Sequence, residues 1–339
     1  MNRLSYAFIS AFSLLAVANP VPIGTSRYAL NERDITVTEA DISSLRFYAQ
    51  YAAAAYCNSE VPVGSAITCY SDTCPDVTAA NATVTKTFVG LLTDAKGFVS
   101  TDNKNKLIVV SVQGSESIRN WIADLTFVGL PCDLVSGCVL HTGFLTAYNE
   151  VKDALLAGVA AAKAANPSYK IVFTGHSLGG AVSTVAAGYA RKLGYEVDLY
   201  TYGSPRVGNK QFVQFVTDQA GAEYRVTHLD DPVPRLPPLI VGYRHTSPEY
   251  WLADGSSDTT TYTAADTKVC EGHASVKCNG GTLGLDIEAH LNYFEPISGC
   301  SQDDLSFKRR DTDISDEDLT AKVNDWAEQD RAYAATLDE

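Results

Sequence analysis

The residues best placed to do chemistry lie in Gly175-His176-Ser177-Leu178-Gly179-Gly180-Ala181. A serine flanked by glycines two positions away on each side suits a tight turn that holds it at a strained backbone angle, with its hydroxyl exposed. The N–H groups opening a following helix would face any anion forming beside that hydroxyl. The chemistry is nucleophilic attack by Ser177, and it needs a base and an acid. Two acids, Asp230 and Asp231, stand side by side before Pro232. They cannot both point inward without repulsion, and spacing does not choose between them. Three histidines follow: His245, His273 and His290. Position favours His290, because Leu285, Ile287, Leu291, Tyr293 and Phe294 flank it with apolar side chains that would hold the ring in register. A histidine with an ordinary pKa of about 6.5 can take a serine proton at neutral pH, and a carboxylate then orients the ring and stabilises the imidazolium. The plain alternatives are a chance Gly-x-Ser-x-Gly and a solvated Asp-Asp-Pro turn.

These side chains need a frame. Residues 171–174 are apolar and β-branched, as in a buried strand, and residues 178–193 are rich in Ala, Val and Leu, as in a helix. A strand over 197–202, a helix over 210–219 and a strand over 224–229 follow, so the aspartate pair sits at a strand's carboxyl end, where α/β sites gather. Tyr250-Trp251-Leu252 is strand-like. Upstream, Thr38-Glu39-Ala40-Asp41 resembles a capped helix start, and that helix continues to about Tyr56. Strands are expected over 84–89, 97–100 and 107–112, with turn residues 101–105 making a hairpin of the last two, and a long helix over 143–166. Alternating strands and helices imply an α/β fold, with a mostly parallel central sheet and helices on its faces. Ile118, Trp121, Ile122 and Leu125 recur at helical spacing within 117–125, leaving Arg119, Asn120 and Asp124 off that face. This segment is either an ordinary surface helix or a hinged lid.

Net charge is −14 over 339 residues, which disfavours a nucleic-acid partner. Half of it lies in residues 301–339, which hold 12 acidic and 5 basic side chains. The start reads as a secretory leader over 1–18: Arg3, an apolar run from Ala7 to Val17, and a small-residue site at Ala16-Val17-Ala18. That run is too short to span a bilayer, and no later run is long enough. Residues 19–33 read as a pro-segment or linker, and 34–300 as the catalytic domain. Secretion makes the eight cysteines disulfides rather than metal ligands, and the paired short spacings with nearby histidine that zinc needs are missing. Cys69 and Cys74, like Cys132 and Cys138, are close enough in sequence to form local loops. Asn81-Ala82-Thr83 is the one N-glycosylation acceptor. In the acidic tail, Lys308-Arg309-Arg310 reads either as a processing site or as a solvated cluster, and Ser315 opens a helix on which Leu319, Val323 and Trp326 share a face. The tail is open to three readings: disordered, docked or removed. No protein partner is evident.

Several stretches together resemble the secreted filamentous-fungal triacylglycerol lipases, the class 3 lipases of α/β-hydrolase fold. They are Tyr48-Ala49-Gln50-Tyr51 with Ala54-Ala55-Tyr56-Cys57, Asn105-Lys106-Leu107-Ile108-Val109, Gly114-Ser115, Ser117-Ile118 with Asn120-Trp121-Ile122, and the Val172 to Ala181 turn. Tyr202-Gly203, Pro205-Arg206-Val207-Gly208-Asn209, Asp231 with Val233-Pro234-Arg235-Leu236-Pro237-Pro238, Ser247-Pro248-Glu249-Tyr250-Trp251 and Ala289-His290-Leu291 with Tyr293-Phe294 complete the set. The resemblance implies Asp231, not Asp230, as the acid and His290 as the base. It implies oxyanion donors at Ser115 and Leu178, a lid over Ser117 to Leu125, acyl-site walls at Tyr56 and Phe144, and bridges Cys57–Cys300, Cys69–Cys74 and Cys132–Cys138. Cys270 and Cys278 lie outside those bridges and are expected to make a fourth. Gln113 stands where these lipases often carry Arg.

The function so implied is hydrolysis of triacylglycerol esters at an oil–water interface, with lipid as the partner and no metal or organic cofactor. A carboxylesterase of feruloyl-esterase type, acting on soluble esters, is a rival on the same fold, and the apolar lid face speaks against it. An inactive lipid- or wall-binding homologue would have lost a triad or oxyanion residue, yet all five positions are filled.

Overall fold

The computed structural model of the protein describes residues 35–115, 117–300 and 314–337. The leader, the 19–33 segment and Lys308-Arg309-Arg310 lie outside them. The described chain begins with α1 (Glu39–Asn58), whose first turn is a capping box: Thr38 Oγ1 accepts from the Asp41 amide and the Asp41 carboxylate accepts from the Thr38 amide. A five-residue α2 (Pro75–Ala79) leads into β1 (Thr83–Val89), β2 (Lys96–Asp102) and β3 (Leu107–Val112), paired antiparallel. After β3 come α3 (Ile118–Asp124), a two-stranded hairpin of β4 (Gly129–Pro131) and β5 (Val139–His141), and the long α4 (Thr142–Ala165). Then β6 (Lys170–His176), α5 (Leu178–Lys192), β7 (Val197–Tyr202), α6 (Lys210–Asp218) and β8 (Glu223–His228) follow in alternation. The chain closes with β9 (Glu249–Leu252), β10 (Thr267–Cys270), α7 (Ile287–Leu291) and α8 (Asp316–Ala334).

The main sheet has the order β1-β2-β3-β6-β7-β8-β9-β10. Strands β3, β6, β7, β8 and β9 are parallel, and antiparallel strands guard both edges. Central strands are buried on both faces, so β3 and β6 read as continuous apolar runs rather than alternating ones. One face packs on α4, α5 and α6 through Phe144, Val151, Val185 and Phe212. The other packs on α1 through Leu45, Ala49, Ala52 and Val109, with Tyr202 and Tyr293 beneath. Five buried alanines in α1, Ala49 and Ala52 to Ala55, let that helix lie close to the sheet.

All four expected disulfides form, Cys57–Cys300, Cys69–Cys74, Cys132–Cys138 and Cys270–Cys278. The first closes a separation of 243 residues and ties the end of α1 to the chain after α7, which carries His290. One feature differs from the sequence reading. Arg119 and Asn120, expected on the outer side of α3, are each only 4% exposed. For Arg119 the cause is the tail: its guanidinium donates to Asp316 of α8 and to Ile314 O just before it.

Candidate active site

Ser177 occupies the single residue between β6 and α5, with φ 57° and ψ −127°, a left-handed value that costs strain in a non-glycine residue. Two forces hold it there. Its amide donates to Tyr202 O at 2.9 Å. The glycines let β6 and α5 close on each other: a methyl group at Gly179 would collide with the Val112 carbonyl, and one at Gly175 with the backbone of Gly179. The amide of Leu178 opens α5, among the N–H groups a helix leaves without an internal partner. Ser115 lies just beyond β3, the strand paired with β6, so its backbone belongs to the same end of the sheet.

Asp231 follows β8 and is fully buried. Its Oδ1 accepts the Val233 amide at 2.8 Å. Its Oδ2 accepts His290 Nδ1–H at 2.8 Å and the Tyr293 hydroxyl at 2.5 Å. Three donors stabilise a buried carboxylate as an anion. With Nδ1 committed as donor, His290 Nε2 is the ring's basic nitrogen. It is buried and makes no hydrogen bond among the described residues, which leaves its lone pair available for a proton. The ring lies over Gly203: a methyl there would sit 2.9 Å from both His290 and Asp231 Oδ2. Gly203 directly follows Tyr202, whose carbonyl holds the Ser177 amide, so the Ser177 turn and the His290 ring are registered on the same two residues.

Two further histidines brace this arrangement. His176 Nε2–H donates to the carbonyl of His290 at 2.9 Å, and His228 Nδ1–H donates to that of Ala289 at 2.8 Å. Each other ring nitrogen then accepts a phenol, Tyr56 at 2.7 Å and Tyr262 at 2.6 Å. Burial pushes both rings below the usual histidine range, in His176 well below it with help from neighbouring His290. They stay neutral and keep these tautomers. Burial, with the Asp231 charge beside it, drives Tyr293 well above the usual phenol range, so it remains a donor.

The structure thus brings Asp231 and His290 together and gives the other candidates different partners. Asp230 is not bonded to His290, and burial raises its carboxyl above the usual range. His245 spends Nε2 on Pro234 O, and His273 spends its nitrogens on His245 O and Gln214. Phe144 sits between the Trp121 ring of α3, 6.4 Å away and stacked, and His141, 4.3 Å away. His141 Nε2–H in turn donates to Thr126 O, where the chain leaves α3. Tyr56 faces Gly114 so closely that any side chain at that glycine would strike its hydroxyl. The roles of Tyr293, His176 and His228 were not foreseen. The first two lie within motifs quoted above, but nothing in spacing says that a tyrosine three residues after His290 turns back to the same carboxylate.

Comparison with known proteins decides the family. A model of the class 3 lipases, "Lipase (class 3)", matches residues 109–241, and one of their N-terminal region matches residues 8–86. The secreted mono- and diacylglycerol lipase 1 of Fusarium solani is 54% identical over 338 residues, 99% of each chain. The chain belongs to the class 3 lipases. Among solved structures, the mono- and diacylglycerol lipase of Aspergillus oryzae superposes with TM-score 0.73 at 42% identity, covering 78% of this lipase and 100% of that chain. A triacylglycerol lipase described as having a serine protease triad at its catalytic centre superposes with TM-score 0.67 at 35% identity, covering 78% and 98%. The lipase is a secreted ester hydrolase of α/β-hydrolase fold acting on lipid.

Proposed function

We propose that this lipase hydrolyses mono- and diacylglycerol esters at an oil–water interface, through a Ser177–His290–Asp231 triad and an acyl-enzyme on Ser177. The observation that carries the chemistry is the buried relay: Asp231 fixed by three donors, His290 Nδ1–H committed to it, and Nε2 open beside the Ser177 turn. Ser177 Oγ attacks the ester carbonyl while His290 Nε2 takes its proton. The oxyanion that forms is held by the amides of Leu178 and Ser115. One such donor is worth about 3–4 kcal/mol in related chemistry. His290 returns the proton to the departing glycerol oxygen and the C–O bond breaks. Water then attacks the acyl-enzyme with His290 again as base, and the fatty acid leaves.

Helix α3 serves as the lid, with Ser117 at its start and Leu125 at its end, and Tyr56 and Phe144 wall the acyl site. Ile118 and Ile122 are buried in the closed form, and Trp121 lies on Phe144. Exposing an apolar helix face of roughly 200 Å² to oil instead of water gains about 5 kcal/mol, ample to open a two-state lid. Partial glycerides are favoured by the 54% identity to a lipase named for them. Triacylglycerol, implied by the resemblance in sequence, is the second reading, and the neighbour with the serine protease triad favours it. Initial rates on emulsified mono-, di- and triacylglycerol of one acyl length decide between them. Ser177→Ala should lower all three by about a millionfold. The secreted chain is expected to lack residues 1–18 and to carry a glycan on Asn81, which is exposed before β1.

A further inference from the structure

Helix α8 is fastened to two different things. Asn324, Asp330, Arg331 and Tyr333 fix it to the body. Asp330 Oδ2 accepts Arg206 Nη1 at 2.6 Å with both side chains only 2% exposed, and Asp330 Oδ1 accepts the Ile240 amide. Asn324 accepts the Gly284 amide at 2.7 Å, Arg331 donates to Gly281 O, and the Tyr333 ring lies under Arg244. Asp316, Leu319, Val323 and Trp326 fix it to α3 and the residues just past it. Leu319 and Val323 enter one buried cluster with Ile118 and Ile122, over Val233, Leu236 and Ile287. Arg119 of α3 reaches across to Asp316 at 2.6 Å and to Ile314 O at 2.7 Å. Trp326 meets Phe127, just past α3, edge-on at 5.0 Å. A helix anchored to the body cannot follow α3 when α3 swings out, so opening must break every one of the α3 contacts.

We propose that α8 is a specificity-determining latch. It holds α3 closed against single dissolved ester molecules and yields only at a lipid surface, so it sets the enzyme's preference for aggregated over dissolved ester. The inference rests on α3 being the lid. The chemistry of the contact fits a latch rather than a weld. Arg119 and Asp316 can each be rehydrated as they part, since the Asp316 side chain is already 64% exposed. The apolar side chains Ile118, Ile122, Leu319 and Trp326 lose one another but gain the oil. In water nothing replaces those contacts.

The test uses the full-length chain and one short-chain ester, assayed below and above its solubility limit, with the ratio of the two rates as the readout. Val323→Asp places a charge in the cluster with Ile118 and Ile122 and should raise the rate below the limit about tenfold or more, collapsing the ratio. Asp316→Ala, on an exposed side chain, should raise it about two- to fivefold. A folded Val323→Asp protein, with the wild-type circular dichroism spectrum and an unchanged ratio, overturns the latch. If Val323→Asp does not fold, Asp316→Ala decides alone, and a wild-type ratio overturns it. A wild type with no rise above the limit removes the lid itself. A wild type that rises, with variants that match it, removes only the latch.

Discussion

Asp231 receives three hydrogen bonds in a site with no exposed surface, and each has a separate job. The Val233 amide fixes the carboxylate to the backbone, His290 uses it as a counter-charge, and Tyr293 shares the oxygen that His290 uses. Asp231→Asn should therefore leave the fold intact and lower kcat by about 10⁴, because the amide can no longer hold Nδ1 as donor. Tyr293→Phe removes one donor and leaves the ring. It should lower kcat by about tenfold, the size of one net hydrogen bond expressed in a rate. Steady-state kinetics on an emulsified ester check both, and equal rates for Tyr293→Phe and wild type would reduce Tyr293 to a packing residue.

At the scale of elements, the buried Arg206–Asp330 pair is the joint between α8 and the body. Burial works against the Arg206 charge, lowering its pKa, and Asp330 is the carboxylate that offsets this. Asp330→Ala leaves a buried guanidinium uncompensated and should destabilise the protein by about 3–5 kcal/mol. Urea unfolding measures this, and a midpoint equal to wild type would mean that α8 is not seated by that pair. Much at this scale was legible in the residues themselves. The β6–turn–α5 unit, the Thr38–Asp41 capping box, the β2–β3 hairpin, the extent of α4 and the period of α8 all depend on local sequence, and the structure follows them within a few residues. The elements that escaped are α2, β4, β5, β10 and α7, three to five residues long and so without a readable period. The choice between Asp230 and Asp231 was closed to spacing because it depends on how the chain turns after β8, where Leu229 takes a φ of 36°. The stripe on α8 was plain, but its partners, Ile118 and Ile122 of α3, lie far away in the sequence.

For the whole molecule, buried titratable groups shape stability on both sides of neutrality. Glu295 is pushed up to about 9 by burial, against the pull of Arg46. The folded state thus keeps a proton that the unfolded chain has lost above an ordinary carboxylate pKa. Glu295 contributes stability that is full below about pH 4.5 and is lost progressively as pH rises to about 9, by at most about 1.4 kcal/mol per pH unit. Glu295→Gln, which mimics the protonated form, should match wild type in Tm near pH 5 and exceed it increasingly toward pH 9. The histidines act in the opposite sense. Burial depresses His176, His228 and His245, so the unfolded chain binds protons that the folded one refuses, and stability falls as pH drops below about 6.5. A Tm profile with loss on both flanks is expected, and only the alkaline flank should respond to Glu295→Gln.

The central claim is that Ser177 does its chemistry under a lid that a lipid surface opens. The measurement that tests it most directly is the initial rate on a short-chain acylglycerol as its concentration crosses the solubility limit, with Ser177→Ala alongside. The account predicts a sharp rise where droplets first form, absent in Ser177→Ala. A smooth saturating curve that ignores the limit, or a rise that Ser177→Ala shares, would contradict it.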